Sequence, residues 1–308
     1  MQTTIPAERK QRVDALAFDY TAQPRERLEA CNLCGATRFV TLTHRDRYGY
    51  PAEAHACMHC GLVFLNPRMT AAAYGRFYDG VYRPLVSAFH GRLIDATTIQ
   101  SEQRDYAAER AAFIRPFVEQ ARPRTLLDIG GSTGVVAHWF AQTFGLEGVL
   151  IDPAPLEVHE ARRLGLETIT GLVEEHDFGA RRFDLVIVCQ TVDHLLDVGG
   201  VLARVRRLLT DAGLLFIDIV DFRAAYLRHW SVEEAVKIDH PYYLVQETMT
   251  AYLARNGFDV LRADYAADHL HVSYVCRRSG RNADALPPAA TADALLREIR
   301  YVQNAPRP

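Results

Sequence analysis

The sequence predicts a doubly wound α/β sheet that follows a small N-terminal zinc ribbon. Three observations support this fold class. Two CxxC pairs lie near the N-terminus, at Cys31/Cys34 and Cys57/Cys60. A glycine-rich turn over residues 130–134 separates a strand pattern from a helix pattern. The second half of the chain then alternates short β-branched runs with helical patterns, as parallel α/β sheets do.

Length and composition exclude several classes of protein. The chain has 308 residues, 49% of them hydrophobic, and can therefore bury a full core. Its net charge of -3 provides no general basic field, so nucleic acid is an unlikely partner. We expect no membrane partner and a cytoplasmic location, because no apolar run approaches the roughly 18 residues of a membrane span and the N-terminus has no apolar core typical of a signal peptide.

The two cysteine pairs predict one structural Zn²⁺ held by four sulfurs. Two thiolates in a CxxC step can bind one tetrahedral ion from a tight turn, and a glycine follows each pair. Redox motifs rarely occur as matched pairs, and disulfides are uncommon in the cytosol. His55 and His59 are alternative ligands. A site closed by four protein ligands is expected to fold its module and to take no part in catalysis.

The patterns divide the chain into five parts. These are an N-terminal extension (1–28), a zinc-ribbon module (29–70), a helical connector or lid (71–122), an α/β domain (123–277, with an insert at 221–244) and a C-terminal tail (278–308). In the ribbon, residues 38–43 alternate as a half-buried strand does, and a further strand over 61–67 ends at Pro67. The connector is rich in alanine and aromatic residues and includes a predicted helix over 104–119.

The α/β domain shows seven strand patterns and four helix patterns. The strands are predicted over 125–129, 148–151, 167–170, 183–189, 213–220, 259–265 and 269–276, in a parallel sheet. The helices are predicted over 134–144, 156–164, 198–209 and 246–256, with one more in the tail over 292–302. Gly257 suits the left-handed C-cap of the fourth helix.

The glycine-rich turn carries a family resemblance. Its glycines are spaced by twos and fit the dinucleotide fingerprint G-x-G-x-x-G poorly. The string from Asp128 to Gly134 instead resembles motif I of the class I S-adenosylmethionine-dependent methyltransferases, [D/E]-x-G-x-G-x-G, with Ser132 at the middle glycine. Residues 183–190 resemble motif IV, and residues 208–217 resemble the segment that follows it. The resemblance implies a Rossmann-like methyltransferase sheet with S-adenosylmethionine as cofactor.

The resemblance also implies which residues contact the cofactor. Gly130 and Gly134 would border its methionine part, and Gln190 its sulfonium end. Asp152 ends the second strand, where a carboxylate can accept both ribose hydroxyls. Leu172 and Val173 would contact the adenine, or else pack in the core. Asp128 either contacts the ligand or only supports the glycine turn.

Histidines near the carboxyl edge of the sheet are candidates for the catalytic base, because histidine titrates near neutral pH. His194 follows the fourth strand, and Asp239-His240 lies in the insert after the fifth. The carboxylate of Asp239 could orient or charge the ring of His240. The alternatives are a structural role for His194 and a solvated loop for the Asp239-His240 pair.

A narrower resemblance combines these features. Two CxxC knuckles, a tyrosine-bearing connector, motif I, a histidine after the fourth strand and an acid-histidine pair in the insert are together similar to the bacterial nucleotide-sugar C-methyltransferases. It implies that Asp239, His240 and either Tyr82 or Tyr78 flank the sugar carbon that is deprotonated and methylated. The additional C-terminal domain of that family has no counterpart in the about 30 residues after Cys276.

We therefore expect an S-adenosylmethionine-dependent methyltransferase for a small, sugar-like acceptor in glycan or secondary-metabolite biosynthesis. Methylation of a hydroxyl, an amine or a carboxylate is an alternative to methylation of carbon. One competing hypothesis is an RNA methyltransferase whose ribbon recognises nucleic acid through Arg38, Arg45, Arg47 and Arg68. The other is a non-catalytic binding protein that retains the fold.

Overall fold

The structure is a computed structural model that describes residues 6–280, 286–287 and 289–306. The first five residues of the predicted extension lie outside the described residues, as do positions 281–285, 288 and 307–308 of the predicted tail. None of the helices in the described ranges has both the length and the apolar character needed to cross a membrane.

The N-terminal part forms one helix and five short strands. They are α1 Ala7–Asp14, β1 Arg25–Glu26, β2 Phe39–Thr43, β3 Ala54–Cys57, β4 Val63–Leu65 and β5 Arg68–Met69. Strands β2, β3 and β4 pair antiparallel, and β2 and β4 lie within the two strand segments predicted for the ribbon. Strand β1 pairs with β5 and links the extension to the end of the ribbon.

The connector is helical throughout most of its length. It contains α2 Ala71–Gly80, α3 Tyr82–His90 and α4 Gln100–Ala121. Helix α2 begins after Thr70, whose side chain accepts a hydrogen bond from the Ala73 N–H and so caps the first turn. Helix α4 begins four residues before the predicted start of the 104–119 helix and ends two residues after its predicted end.

The rest of the chain builds the α/β domain and its additions. The elements are β6 Thr125–Ile129, α5 Val135–Phe144, β7 Glu147–Asp152, α6 Pro155–Arg163, β8 Glu167–Thr170, β9 Phe183–Cys189, α7 Val198–Leu208, β10 Leu209–Val220, α8 Phe222–His229, α9 Val232–Ala235, β11 Tyr242–Tyr243, α10 Gln246–Arg255, β12 Phe258–Tyr265, β13 His271–Arg278 and α11 Ala289–Asn304. Each predicted strand and helix of this part therefore has a counterpart.

The main sheet has seven strands in the order β12-β13-β10-β9-β6-β7-β8. The five strands from β6 to β10 pair parallel, but β13 runs antiparallel to both β10 and β12. The expectation of a wholly parallel sheet is thus wrong for its last strand. The connection between β12 and β13 spans only residues 266–270, which is too short for the crossover that a parallel pair needs.

The insert joins the ribbon to the main domain. Its strand β11 pairs antiparallel with β4, so that the ribbon sheet has the order β11-β4-β3-β2. Cys57, Cys60 and Phe64 of the ribbon belong to the same hydrophobic core as residues of the main sheet such as Ile217. The ribbon is consequently packed onto the α/β domain, beside the carboxyl edge where the insert begins.

Candidate active site

The turn from Gly130 to Gly134 needs glycine at its start for steric reasons. It connects the end of β6 to α5 at the carboxyl edge of the sheet. Gly130 has a φ of 68°, and a Cβ there would lie 2.3 Å from Cγ2 of Thr191. A Cβ on Gly131 would lie 2.4 Å from Oδ2 of Asp128. Both contacts are impossible, so these two positions allow the backbone to pass close to its neighbours.

Ser132 takes the left-handed conformation that the family motif assigns to glycine, with a φ of 52°. Its hydroxyl donates a hydrogen bond to Oε2 of Glu157 at 2.8 Å and accepts one from Nη2 of Arg83 at 3.2 Å. Arg83 also pairs with Glu157 at 2.9 Å. Helix α3 of the connector is thereby tied to the turn, an interaction that a glycine could not make.

Asp152 is positioned by two backbone donors at the end of β7. Its Oδ2 accepts from the N–H of Ser132 at 3.0 Å, and its Oδ1 accepts from the N–H of Ala154 at 2.8 Å. Burial raises the pKa of Asp152 to about 6, although the two donors act to lower it. A carboxylate oxygen has more than one lone pair, so both oxygens can still accept hydroxyl donors from a ligand.

Asp128 is a buried carboxyl group without a partner. Neither of its oxygens accepts a hydrogen bond from a described residue, although the side chain is only 1% exposed. Burial, and then the neighbouring charge of Asp152, raises the pKa of Asp128 to about 8. A cationic ligand group would stabilise the ionised form of a buried carboxyl that has no partner. This favours ligand contact over a purely structural role for Asp128.

A cavity of about 460 Å³ lies over the glycine turn, and we call it the loop cavity. Most of the sequence-predicted cofactor and catalytic residues line it: Asp128, Gly130, Asp152, Gln190, His194, Tyr78 and Tyr82. Its other wall is the connector, which contributes Arg83 from α3 and Gln103 and Tyr106 from α4. The connector therefore forms part of the wall of this cavity, and its role as a lid stays a prediction.

Three predicted cofactor residues do not line the loop cavity. Gly134 faces helix α6, where an added Cβ would lie 2.7 Å from Cβ of Ala161, so its evident role is close packing of helix on helix. Val173 is buried in the core, and Leu172 is 37% exposed. The contacts of Leu172 and Val173 with adenine stay predictions.

A second cavity, of about 230 Å³, lies between the insert and the end of β10, and we call it the insert cavity. His240, Asp193, Lys237 and Arg47 line it. Gln190 lines both cavities. The insert cavity thus adjoins the loop cavity at the residue that was predicted to lie near the sulfonium end of the cofactor.

His194 and His240 stand between the two cavities, with ring centroids 4.5 Å apart. Nδ1 of His194 lies 2.7 Å from the Tyr78 hydroxyl and 3.0 Å from the main-chain oxygen of Asp239. Because the Tyr78 hydroxyl donates its proton to that same oxygen, Nδ1 of His194 is the donor and Nε2 carries the lone pair. Burial, and then the charge of His240, lowers the pKa of His194 to about 4, so the ring is neutral near pH 7.

The ring of His240 is oriented by a residue that the sequence did not single out. Its Nδ1 lies 2.9 Å from Oδ2 of Asp193, which sits in a 3₁₀ turn after β9. Asp239, which we expected to orient the ring, is farther away, with Oδ2 3.3 Å from Nε2. Nζ of Lys237 lies 3.2 Å from the same Nε2. Both carboxylates therefore contact the ring, and Asp193 is the nearer of the two; the role of Asp239 in orienting or charging the ring stays a prediction.

Charges within this cluster keep both carboxylates ionised. Burial acts to raise the pKa of Asp193, but electrostatic interactions with His240 and then with His194 hold it well below its usual value. The pKa of Asp239 is lowered in the same way by His240 and Lys237, again against burial. Asp193, Lys237, Arg83 and Arg47 were all missed as site residues. Only Asp193, next to His194, carried a local sequence signal.

The four cysteines of the ribbon converge on one point. Sγ of Cys31 and Cys60 are 3.6 Å apart, Sγ of Cys34 and Cys57 are 3.5 Å apart, and all four sulfurs lie within 4.8 Å of one another. A tetrahedral Zn²⁺ with sulfur ligands at about 2.3 Å requires sulfurs about 3.8 Å apart. The four cysteines fit a zinc ion, and His55 instead contacts Glu53 at 3.4 Å.

Comparison with known proteins shows which sequences this chain resembles. A family model described as a methyltransferase domain matches residues 100–263, just over half of the chain. Ubiquinone biosynthesis O-methyltransferases from Rhodopseudomonas palustris (strain TIE-1) and Methylocella silvestris are 29% identical over 98 residues and 31% identical over 97 residues. Each match covers 30% of this chain and 38% of the relative, so the chain spans well under half the length of these curated relatives.

One solved structure is similar over a larger part of the chain. The structure of the mitomycin 7-O-methyltransferase MmcR has a TM-score of 0.51 and 19% sequence identity. The match covers 67% of this chain and 60% of that protein. At this level of identity the similarity shows a shared fold.

Proposed function

This chain belongs to the family of proteins with a methyltransferase domain, and we propose that it transfers the methyl group of S-adenosylmethionine to a small, sugar-like acceptor in the insert cavity. The observation that carries this proposal is the arrangement of the two cavities. They share Gln190 and are separated by His194 and His240. A methyl donor in the loop cavity and an acceptor in the insert cavity would thus meet beside a pair of histidines.

The loop cavity offers suitable partners for each polar part of S-adenosylmethionine. The free oxygens of Asp128 suit the cationic amino group, and the carboxylate of Asp152 suits the ribose hydroxyls. Gly130 and Gly131 line the same cavity and let the turn pass close to Thr191 and Asp128. When bound, S-adenosylmethionine supplies a sulfonium methyl group that is open to nucleophilic attack.

His240 is our candidate for the base that prepares the acceptor. Its Nδ1–H donates to Asp193, so Nε2 is the basic atom. Nε2 accepts a hydrogen bond from Nζ of Lys237 and would exchange it for a proton from a hydroxyl or from a carbon next to a carbonyl group. Asp193 keeps the ring in this tautomer and stabilises the imidazolium that forms. Tyr78 fixes His194 beside it through the hydrogen bond network with the Asp239 carbonyl.

Tyr82 stands in the wall of the loop cavity next to Tyr78, with ring centroids 5.4 Å apart. Tyr82 does not line the insert cavity, so the contact with the acceptor that the sugar C-methyltransferase resemblance implies stays a prediction. The lining of the insert cavity by Asp193, His240 and Lys237 also suits an acceptor rich in hydroxyl groups. The named relatives are O-methyltransferases, so the proposal includes a hydroxyl group as the group that is methylated.

The ribbon gives less support to RNA as the acceptor. Arg68 is buried, pairs with Glu26 at 2.8 Å and donates to the main-chain oxygen of Leu196. Arg47 lines the insert cavity. Of the four arginines that could contact nucleic acid, only Arg38 and Arg45 are exposed. The others have roles inside the protein.

We also propose that the four ribbon cysteines hold one structural Zn²⁺. None of these cysteines lines either cavity, and three of the four are buried. With four protein ligands the site has no open coordination position, which supports a role in holding the ribbon together.

An acceptor screen tests the proposed function. Purified protein is incubated with S-adenosylmethionine and, separately, with nucleotide-activated sugars, free sugars, a catechol and RNA, and release of S-adenosylhomocysteine is measured. We expect turnover with a sugar substrate and none when His240→Ala replaces the wild type. NMR of the product identifies the methylated atom. Turnover confined to the catechol or to RNA would contradict the sugar assignment.

A further inference from the structure

The insert cavity contains two cationic side chains that have no carboxylate partner. Arg47 comes from the loop between β2 and β3, and Lys237 comes from the insert just after α9. Among the residues that the structure describes, neither forms an ion pair. Unpaired charges in a partly buried cavity are costly, and proteins rarely keep them without a ligand to neutralise them.

Arg47 is held in place without using its hydrogen-bond donors. Its guanidinium carbon lies over the ring of Phe89, 4.2 Å from the centroid, in a cation–π contact. Its Nε is buried and donates to none of the described residues. A cation–π contact uses no N–H group, so the guanidinium keeps its donors for a carboxylate or a phosphate, which it can bind with two parallel hydrogen bonds.

Lys237 faces the same cavity. Its Nζ lies 3.2 Å from Nε2 of His240. Burial lowers the pKa of Lys237, and the like charge of Arg47 lowers it further, against the opposing effect of Asp239. The two cations are therefore close enough to repel each other. A ligand anion between them would relieve that repulsion.

The carboxylates of Asp239 and Asp193 act to raise the pKa of Lys237 and so balance part of its charge, but among the described residues neither forms an ion pair with Lys237 or Arg47. Asp193 is engaged by Nδ1 of His240, and Asp239 faces Nε2 of the same ring. Glu234, half-buried in the cavity wall, pairs with neither cation within the described ranges. The cations thus remain available to a ligand.

We propose that the methyl acceptor carries an anionic group, a carboxylate or a phosphate, which Arg47 and Lys237 bind in the insert cavity. This inference rests on the proposed function only in placing the acceptor there. The cavity, at about 230 Å³, is smaller than the about 300–1,000 Å³ of sites that enclose drug-sized ligands. It suits one ring with its anionic substituent, while larger parts of an acceptor would extend outward. The anion would also anchor the acceptor next to Nε2 of His240.

Thermal unfolding with two simple probes tests this site. Inorganic phosphate and acetate are added separately to the complete, zinc-loaded protein, with sodium chloride at equal ionic strength as the reference for screening. A ligand that binds only the folded state raises Tm, and we expect a rise of about 2 °C or more at saturating probe. A response to phosphate alone identifies a phosphorylated acceptor, and a response to acetate alone identifies a carboxylated one.

Three variants of the proposed site and one control variant make the test specific. Arg47→Gln and Lys237→Met should each abolish most of the shift, and Arg47→Lys should restore part of it. Arg45→Gln is the matched control, because Arg45 is exposed and lies outside the cavity lining. The control should respond like the wild type, which accounts for general salt effects on stability.

Two results would overturn the proposal. One is the absence of any shift in the wild type with either probe relative to chloride. The other is an equal shift in Arg47→Gln and Arg45→Gln. Failure of the proposed function differs from both: in that case the probes still stabilise the wild type through Arg47, but S-adenosylmethionine does not bind or no acceptor is methylated.

Discussion

Nδ1 of His240 lies 2.9 Å from Oδ2 of Asp193, a residue on a different segment that follows strand β9. The contact joins the insert to the carboxyl edge of the main sheet and fixes the imidazole between the two cavities. A histidine held through Nδ1 by a buried carboxylate presents Nε2 as its basic atom. The relationship therefore determines which nitrogen of His240 can act on an acceptor.

Replacing His240 by alanine should remove most of the turnover. A positioned base contributes about 10²–10⁴ in rate, and His240 lines the insert cavity but not the loop cavity. We expect kcat to fall by about that factor while the affinity for S-adenosylmethionine in calorimetry is unchanged. His194→Ala should affect both quantities, because His194 lines the loop cavity. His44→Ala, at an exposed position, is the control and should leave both quantities unchanged. Wild-type turnover in His240→Ala would exclude His240 as the base.

Asp193→Asn should reduce turnover more than Asp239→Asn. The amide can no longer stabilise an imidazolium at Nδ1 of His240, whereas Asp239 is farther from the ring, at 3.3 Å from Nε2. Steady-state kinetics of the two variants on one acceptor measures the difference, and circular dichroism verifies that both fold. The reverse order of activities would return the orienting role to Asp239.

Asp152→Ala should weaken binding of S-adenosylmethionine by at least about tenfold, since hydrogen bonds to a carboxylate contribute roughly 1.5–3 kcal/mol. The substitution also removes the acceptor for the N–H groups of Ser132 and Ala154, which loosens the turn. Calorimetric titration measures the affinity. Asp259→Asn, on an exposed position of β12, is the control. Equal affinities for the two variants would mean that Asp152 does not hold the ribose.

Asp128 should make the ligand-free protein less stable as the pH rises from about 4 to about 8. Its pKa is raised from the ordinary 3.8 to about 8 by burial and by Asp152. Between those values the folded protein keeps a proton that the unfolded chain has lost, so the free energy of unfolding falls by about 1.4 kcal/mol per pH unit. Below about pH 4 both the folded and the unfolded chain hold this proton, so the free energy of unfolding no longer changes with pH through Asp128.

Asp128→Asn should flatten that dependence and weaken S-adenosylmethionine binding, because the amide neither ionises nor pairs with an ammonium group. Urea unfolding at several pH values, without ligand, compares the two proteins. Parallel stability curves for the wild type and the variant would show that Asp128 does not titrate in this range.

Purified protein should contain about one zinc per chain, given four ligands for one tetrahedral ion. Cys57→Ser should lose the metal and lower Tm, because the proposed ion would link cysteines that pack against the core of the main sheet. Cys276→Ala, a buried cysteine of β13 outside the cluster, should retain it. Elemental analysis measures the content. A zinc-free wild type, or full zinc content in Cys57→Ser, would contradict the assignment.

Features that depend on a short stretch of chain were predictable. The two cysteine pairs, the turn from Gly130 to Gly134 and the acid at Asp152 follow from local spacing, and the structure brings each set together as expected. The strands and helices of the α/β domain were also found, because burial and amphipathic periodicity are local properties of the sequence.

Features that depend on pairing between distant segments were decided only by the tertiary structure. The reversed strand β13, the pairing of β11 with the ribbon and the contact of Asp193 with His240 each join residues whose proximity leaves no periodic pattern. The same holds for Arg47, a ribbon residue that reaches the insert cavity beside Lys237. The sequence determined which chemical groups the protein possesses and approximately where the strands and helices of the α/β domain lie. The packing of ribbon, insert and sheet determined which groups share a cavity, because free energy is minimised over contacts between segments far apart in the chain.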